Sequence, residues 1–212
     1  MMVQSFSLAQ LVEKANELAQ SGKRQILAVA GAPGSGKTTI TRAIMQGLPQ
    51  GAVVIAPMDG FHLSNATLIK YNRRDRKGAW DTFDADGYIN LLTRLKNQTE
   101  AVLHAPDFDR DIDESIGSAI PIDINAPLIL AEGTFLFSQY GSWPKLAPLF
   151  NQGWFVHLDT KIRQERLITR HMKHGMSLQQ ATDWTLGTDE NNAKAVENDY
   201  LRADLSIFIK EV

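Results

Sequence analysis

The 212-residue chain contains no cysteine. That excludes disulfides, thiolate catalysis and Cys-ligated zinc, and it fits a reducing cytosol. No run approaches the 18 or more apolar residues of a membrane span. The start, Met-Met-Val-Gln-Ser-Phe-Ser-Leu, has neither the basic opening nor the apolar stretch of a secretory signal. Together these absences predict a cytoplasmic protein without a membrane partner. The formal net charge is only −2, so nothing global points to nucleic acid. No Asn-Lys-x-Asp string occurs, which excludes the usual guanine-reading GTPase. Internal repeats, low-complexity tracts and linkers are also missing. With 43% hydrophobic and 22% charged residues, the chain reads as one domain with a substantial core.

What is present begins at Gly31-Ala-Pro-Gly-Ser-Gly-Lys-Thr38, a complete G-x-x-x-x-G-K-S/T phosphate loop. The apolar run 25–30 before it suits a buried parallel strand. Ile40, Ile44 and Leu48 after it have helical spacing. Strand, glycine-rich turn and helix form the setting in which this string binds a nucleoside triphosphate. Gly31, Ala32, Pro33, Gly34, Ser35, Gly36, Lys37, Thr38 and Thr39 are the candidate nucleotide contacts. Lys37 is expected to reach the β- and γ-phosphates, and the Thr38 hydroxyl to join a Mg²⁺ shell.

Further strands are expected at 52–56, 127–131, 153–158 and 205–209. Helices are expected at 7–21, 84–95, 143–150, 160–174, 177–186 and 190–202. Residues 101–125 read as two short strands in a hairpin-like excursion. Strands alternating with helices predict an α/β three-layer fold with a central, mostly parallel, five-stranded sheet, a small strand excursion and a helical lid.

Candidate chemistry sits at strand ends, where doubly wound sheets bind ligands. Asp59, just after the second strand, is placed to orient or deprotonate an attacking hydroxyl; a turn cap beside Gly60 is the alternative. His62 either contacts substrate or packs beside Phe61. Glu132 closes the third strand, where an acid holds the Mg²⁺ shell or substrate. Arg110 suits a two-pronged grip on a substrate anion, whereas Asp107 and Asp109 are equally a solvated turn. Arg163, Arg166 and Arg170 share one helical face, with Arg166 and Arg170 the stronger candidates for charge stabilisation over the phosphates. The basic run 73–77 is either a solvated face or an acceptor-recognition element. Trp80 and Trp184 read as packing residues.

Taken together, the phosphate loop, Met58-Asp-Gly-Phe-His-Leu63, Arg76-Lys-Gly-Ala-Trp-Asp-Thr-Phe-Asp84, Pro106-Asp-Phe-Asp-Arg110, Ala131-Glu-Gly133 and the Arg-rich helix resemble the phosphoribulokinase/uridine kinase/pantothenate kinase family of P-loop kinases. The similarity spans nearly the whole chain. It is nearest to the nucleoside/nucleotide kinase-like branch, some of whose members carry a fructose transport system kinase label. The resemblance implies an ATP- and Mg²⁺-dependent kinase acting on a small-molecule hydroxyl, such as a sugar, a nucleoside or a pantothenate-like acid. Family roles map Lys37 and Thr38 onto phosphates and Mg²⁺, Asp59 onto the acceptor hydroxyl, and Arg166 and Arg170 onto the lid. Phe108 stands where uridine kinases place Tyr, which removes a hydroxyl donor. Relatives often form homodimers. The alternative from another class is a nucleotide-dependent switch or sensor without phosphotransfer.

Overall fold

The strand that precedes the phosphate loop is buried along nearly its whole length, because both of its faces are covered. A computed structural model describes residues 3–209. In chain order the elements are β1 (Gln4–Phe6), α1 (Leu8–Ala19), β2 (Gln25–Gly31), α2 (Lys37–Gly47), β3 (Val53–Pro57), α3 (Asn65–Lys70), α4 (Ala85–Lys96), β4 (Val102–Asp109), β5 (Glu114–Asp123), β6 (Leu128–Gly133), β7 (Gln152–His157), α5 (Thr160–Lys173), α6 (Leu178–Trp184), α7 (Glu190–Ala195) and β8 (Leu205–Ile209). Short 3₁₀ turns occupy Met58–Phe61, Arg74–Arg76, Trp143–Leu149 and Asp199–Arg202.

The main sheet has the order β1-β8-β7-β2-β6-β3, and every pair in it is parallel. Alternation along β2 divides the core. Ile26, Ala28 and Ala30 face α4 and Trp143, whereas Leu27 and Val29 face α1 and α2. β4 and β5 form a separate antiparallel hairpin, as the alternation in 101–125 led us to expect. Arg24 ties the layers together. Its guanidinium donates to the carbonyls of Leu95, Asp123, Ile124 and Ala126 at 2.7–3.0 Å, linking the start of β2 to α4 and to the hairpin's exit.

Three expectations need correction. The sheet has six strands rather than five, because Gln4–Phe6 pairs with β8 at the edge. Three half-exposed residues carry too little periodicity to register as a strand. The helices expected at 177–186 and 190–202 are joined: α6 continues through a π turn at Thr185–Asp189 into α7, which ends at Ala195. The π turn takes up one extra residue per turn. It turns both Asp189 and Glu190 towards α5, where they meet His171 and Arg163. Residues 199–202 form only a 3₁₀ turn.

Candidate active site

The phosphate loop closes over the end of β2. Gly34 has φ 77°, and a Cβ there would lie 2.9 Å from the Arg163 carbonyl and from Leu167, so glycine is required by both conformation and space. α2 starts at Lys37; the Gly36 carbonyl at its cap takes the Thr39 and Ile40 N–H groups, and the N–H groups of Lys37 and Thr38, ahead of the first intrahelical bond, are the donors for an anion. Lys37 Nζ donates to the carbonyls of Gly31 (2.9 Å) and Ala32 (3.1 Å). Burial lowers its pKa to about 8, against the attraction of Glu132 and Asp59.

Glu132, the penultimate residue of β6, lies across from α2. Its two carboxylate oxygens accept from Thr38 Oγ1 (2.8 Å) and Thr41 Oγ1 (2.9 Å). Burial raises its pKa, opposed by Lys37 and by the two hydroxyls. Among the described residues there is no cluster of three or more His, Cys, Asp or Glu able to cage a metal. One hydroxyl and one carboxylate are a donor set that suits Mg²⁺, which keeps waters and takes phosphate oxygens rather than an all-protein cage.

Asp59 sits in the 3₁₀ turn after β3. That turn lies flush against β4: a Cβ at Gly60 would collide with the Pro106 carbonyl. Arg110, at the end of the hairpin's first strand, donates to Asp59 Oδ2 at 2.8 Å. Burial pushes the Asp59 carboxyl up, but Arg110, His62, Lys37 and Arg170 outweigh it and hold the pKa below the usual value. The group is therefore ionised at neutral pH. His62 Nδ1 donates to the Asp59 carbonyl at 2.7 Å, which leaves Nε2 as an acceptor on the neutral ring. Burial, opposed by Asp59, lowers the His62 pKa and favours that neutral form. The ring lies between Phe83 and Phe108, with centroids at 4.1 and 4.5 Å.

Lys37, Thr38, Glu132, Asp59, His62 and Arg110 open into one cleft of about 1140 Å³, roofed by Arg166 and Arg170 of α5. Burial lowers the Arg170 pKa, and the nearby Arg110 lowers it further.

No protein-family profile matches the chain. Individual relatives do. A solved structure from Silicibacter sp. TM1040, described as a putative fructose transport system kinase, is 32% identical, with a TM-score of 0.79 over 96% of this chain and 98% of that one. The uncharacterized protein YggC of Escherichia coli is 31% identical over 193 residues, covering 89% of this chain and 79% of the relative. A putative uridine kinase of Schizosaccharomyces pombe is 28% identical over 209 residues, covering 94% and 89%. The chain belongs to the phosphoribulokinase/uridine kinase/pantothenate kinase family of P-loop kinases. It is a P-loop phosphotransferase.

In this kinase, Lys37, Thr38, Thr39, Asp59, His62, Arg110, Glu132, Arg166 and Arg170 all line this cleft. Arg163 does not share it. That side chain is 4% exposed and pairs with Glu190 at 2.5 Å, bracing α5 against α7. Asp107 and Asp109, at the end of β4, accept from backbone N–H groups one to three residues on and do not line the cleft. Trp80 stacks on Tyr140 away from the cleft, whereas Trp184 lines it. Within the basic run, Arg73 and Arg76 bind Asp81, while Arg74 and Lys77 face the cleft.

Sequence reasoning missed Thr41, Thr134 and Asp113. Thr41 was within reach, since it lies one helical turn from Thr38 on α2. Thr134, 3.5 Å from Lys37 Nζ, and Asp113, in the hairpin turn, gave no local signal.

Proposed function

We propose that this kinase transfers the γ-phosphoryl group of ATP to a hydroxyl of a small metabolite, with a sugar, a nucleoside or a pantothenate-like acid as the acceptor classes. The observation that carries the reading is the convergence of Lys37, Asp59, Glu132 and Arg170 on one cleft large enough for a nucleotide and a second small molecule. ATP as donor follows from the kinase relatives.

The phosphate loop and Lys37 would hold the β- and γ-phosphates, Lys37 exchanging its two loop carbonyls for phosphate oxygens. Thr38 and Glu132 would hold Mg²⁺, which would supply neutralisation of phosphate charge when bound. The acceptor hydroxyl would lie against the ionised Asp59 carboxylate, on the other side of the γ-phosphorus. Its oxygen forms the new bond to phosphorus as the bond to the β,γ-bridging oxygen breaks. The hydroxyl proton passes to Asp59 and then to water, and ADP departs. Arg166 and Arg170 would balance charge on the transferring group and exclude water. Arg110, once released from Asp59, would turn to the acceptor, with His62 beside it.

The test is a screen of hydroxyl metabolites for acceptor-dependent ADP formation, with Lys37→Ala as the blank. Asp59→Asn should leave ATP binding intact and cut turnover about a hundredfold or more. Unchanged turnover would remove Asp59 from its role. ADP formation stimulated by a macromolecule, with no small acceptor active, would replace phosphotransfer by a switch.

A further inference from the structure

The acceptor end of the cleft is walled by Met58, Phe83, Phe108 and His62. Its polar lining is unbalanced. Arg74, Lys77 and Arg110 face Asp59 and Asp113, an excess of one positive charge at this end; further along the cleft Arg170 and Lys173 are met by Glu165 and Asp189. Asp59 and Asp113 are already engaged. Asp113 accepts from Arg74 at 2.8 Å and lies 3.1 Å from Lys77 Nζ, and Asp59 accepts from Arg110 at 2.8 Å. Lys77 is 6% exposed, and its ammonium also donates to Asn65 Oδ1 and to the Asp113 carbonyl. It is a fixed buried charge, 5.1 Å from the Phe108 centroid.

Arg110 lies over the same ring at 5.9 Å. Arg110 and Arg74 each use one terminal nitrogen for their carboxylate, and both side chains remain more than two-fifths exposed. Each therefore keeps further N–H donors for a ligand.

A neutral polyol held here would need acceptors for several hydroxyl protons. Asp113 is held by Arg74 and Lys77, Asp59 serves the one reacting hydroxyl, and the walls are aromatic. An anion needs donors and positive charge, which this end supplies in a fixed arrangement. Resting on the phosphotransfer reading, we propose that the acceptor is itself an anion. It is a small metabolite carrying a hydroxyl for phosphorylation and a carboxylate or phosphate group, and Arg74 and Arg110 bind that group beside Phe108. Arg74 is a specificity-determining residue. Asp113 sets the strength of the grip by competing with the ligand for Arg74.

The test titrates three matched three-carbon probes, D-glycerate, glycerol 3-phosphate and glycerol, into protein saturated with Mg²⁺ and the non-hydrolysable analogue AMP-PNP, at constant ionic strength. At least one anion should bind about tenfold or more tightly than glycerol, the range of a hydrogen bond to a charged group. Comparing the two anions separates carboxylate from phosphate recognition. Arg74→Gln should weaken the preferred anion about tenfold and leave glycerol unchanged. Asp113→Asn should tighten the anion several-fold, an effect of opposite sign that a purely structural role would not produce. Neither anion outbinding glycerol would overturn the proposal, as would Arg74→Gln and Asp113→Asn shifting the anion in the same direction. AMP-PNP binding is measured first. Its failure would sink the phosphotransfer reading and this proposal with it, whereas normal AMP-PNP binding without anion preference would sink this proposal alone.

Discussion

Triphosphate binding should draw a proton onto Lys37. In the free protein burial lowers this ammonium to about 8, and its hydrogen-bond partners there are two carbonyls and a hydroxyl. A bound triphosphate places several negative oxygens against it and returns the pKa to the ordinary lysine range or above. The proton taken up per nucleotide is then the fraction of free protein with Lys37 neutral. From a free pKa of about 8 this is about 0.1 at pH 7, about 0.5 at pH 8 and about 0.9 at pH 9. The sign follows from linkage: the bound state holds more protons, so affinity falls as pH rises through the free pKa. The loss is about fivefold between pH 8 and pH 9. Terminal phosphates, with a second pKa near 6, are already ionised in this range and contribute little. The assay is calorimetric titration with Mg²⁺·AMP-PNP in buffers of different ionisation enthalpy at each pH. Lys37→Arg, charged at every pH used, is the comparison, and its uptake should vanish. No uptake by the wild type at pH 8–9, or equal uptake by Lys37→Arg, would refute the reasoning.

Two predictions concern the frame of the site. Glu190→Gln leaves the buried Arg163 guanidinium without its counter-charge and should cost about 3 kcal/mol in urea unfolding, whereas Arg163→Met, which strands the partly exposed Glu190, should cost less. The double change Arg163→Met with Glu190→Met should recover most of that loss, and additive losses would contradict a coupled pair. Asp199 is 5% exposed, and its Oδ2 has no hydrogen-bond partner among the described residues. Burial raises its pKa to about 6, opposed by Arg202. A carboxyl raised above its unfolded value makes stability fall as pH climbs from about 4 to about 6. Asp199→Asn should therefore stabilise the protein by about 1–3 kcal/mol at pH 7.5 and by little at pH 4, read from melting curves at both values.

The elements legible in the sequence are those whose cause is local. β2 announces itself because a strand covered on both faces must be apolar throughout, and the glycine–lysine string follows it directly. α1 and α4 show in the spacing of Leu11, Ala15, Leu91, Leu92 and Leu95, with Ser7 and Asp84 as their caps. The π turn was hidden for the converse reason. One inserted residue breaks the 3.6 period, so Gly187 and Thr188 look like a helix break when the rod continues through them. Helical spacing also put Arg163, Arg166 and Arg170 on one face. It could not show that Arg163, one turn nearer the phosphate loop, meets Glu190 and is spent on packing.

The same division runs through the site. The donor half is written in a contiguous string plus one strand-end glutamate, and each member follows from backbone geometry nearby. The proposed acceptor half is assembled from residues 58–62, 74–83 and 108–113, which are far apart in the chain and meet in one cleft. Arg110 reaches Asp59 across 51 positions, and Asp113 reaches Arg74 across 39. Asp59 and Arg110 each lie in a recognisable string, but neither pairing has a period that would announce it. Changing residues 74, 108 or 113 would alter the chemistry offered to the acceptor without touching the phosphate loop. The nucleotide site can therefore be read from the string alone, whereas the proposed acceptor site rests on the charges that the fold brings around Phe108.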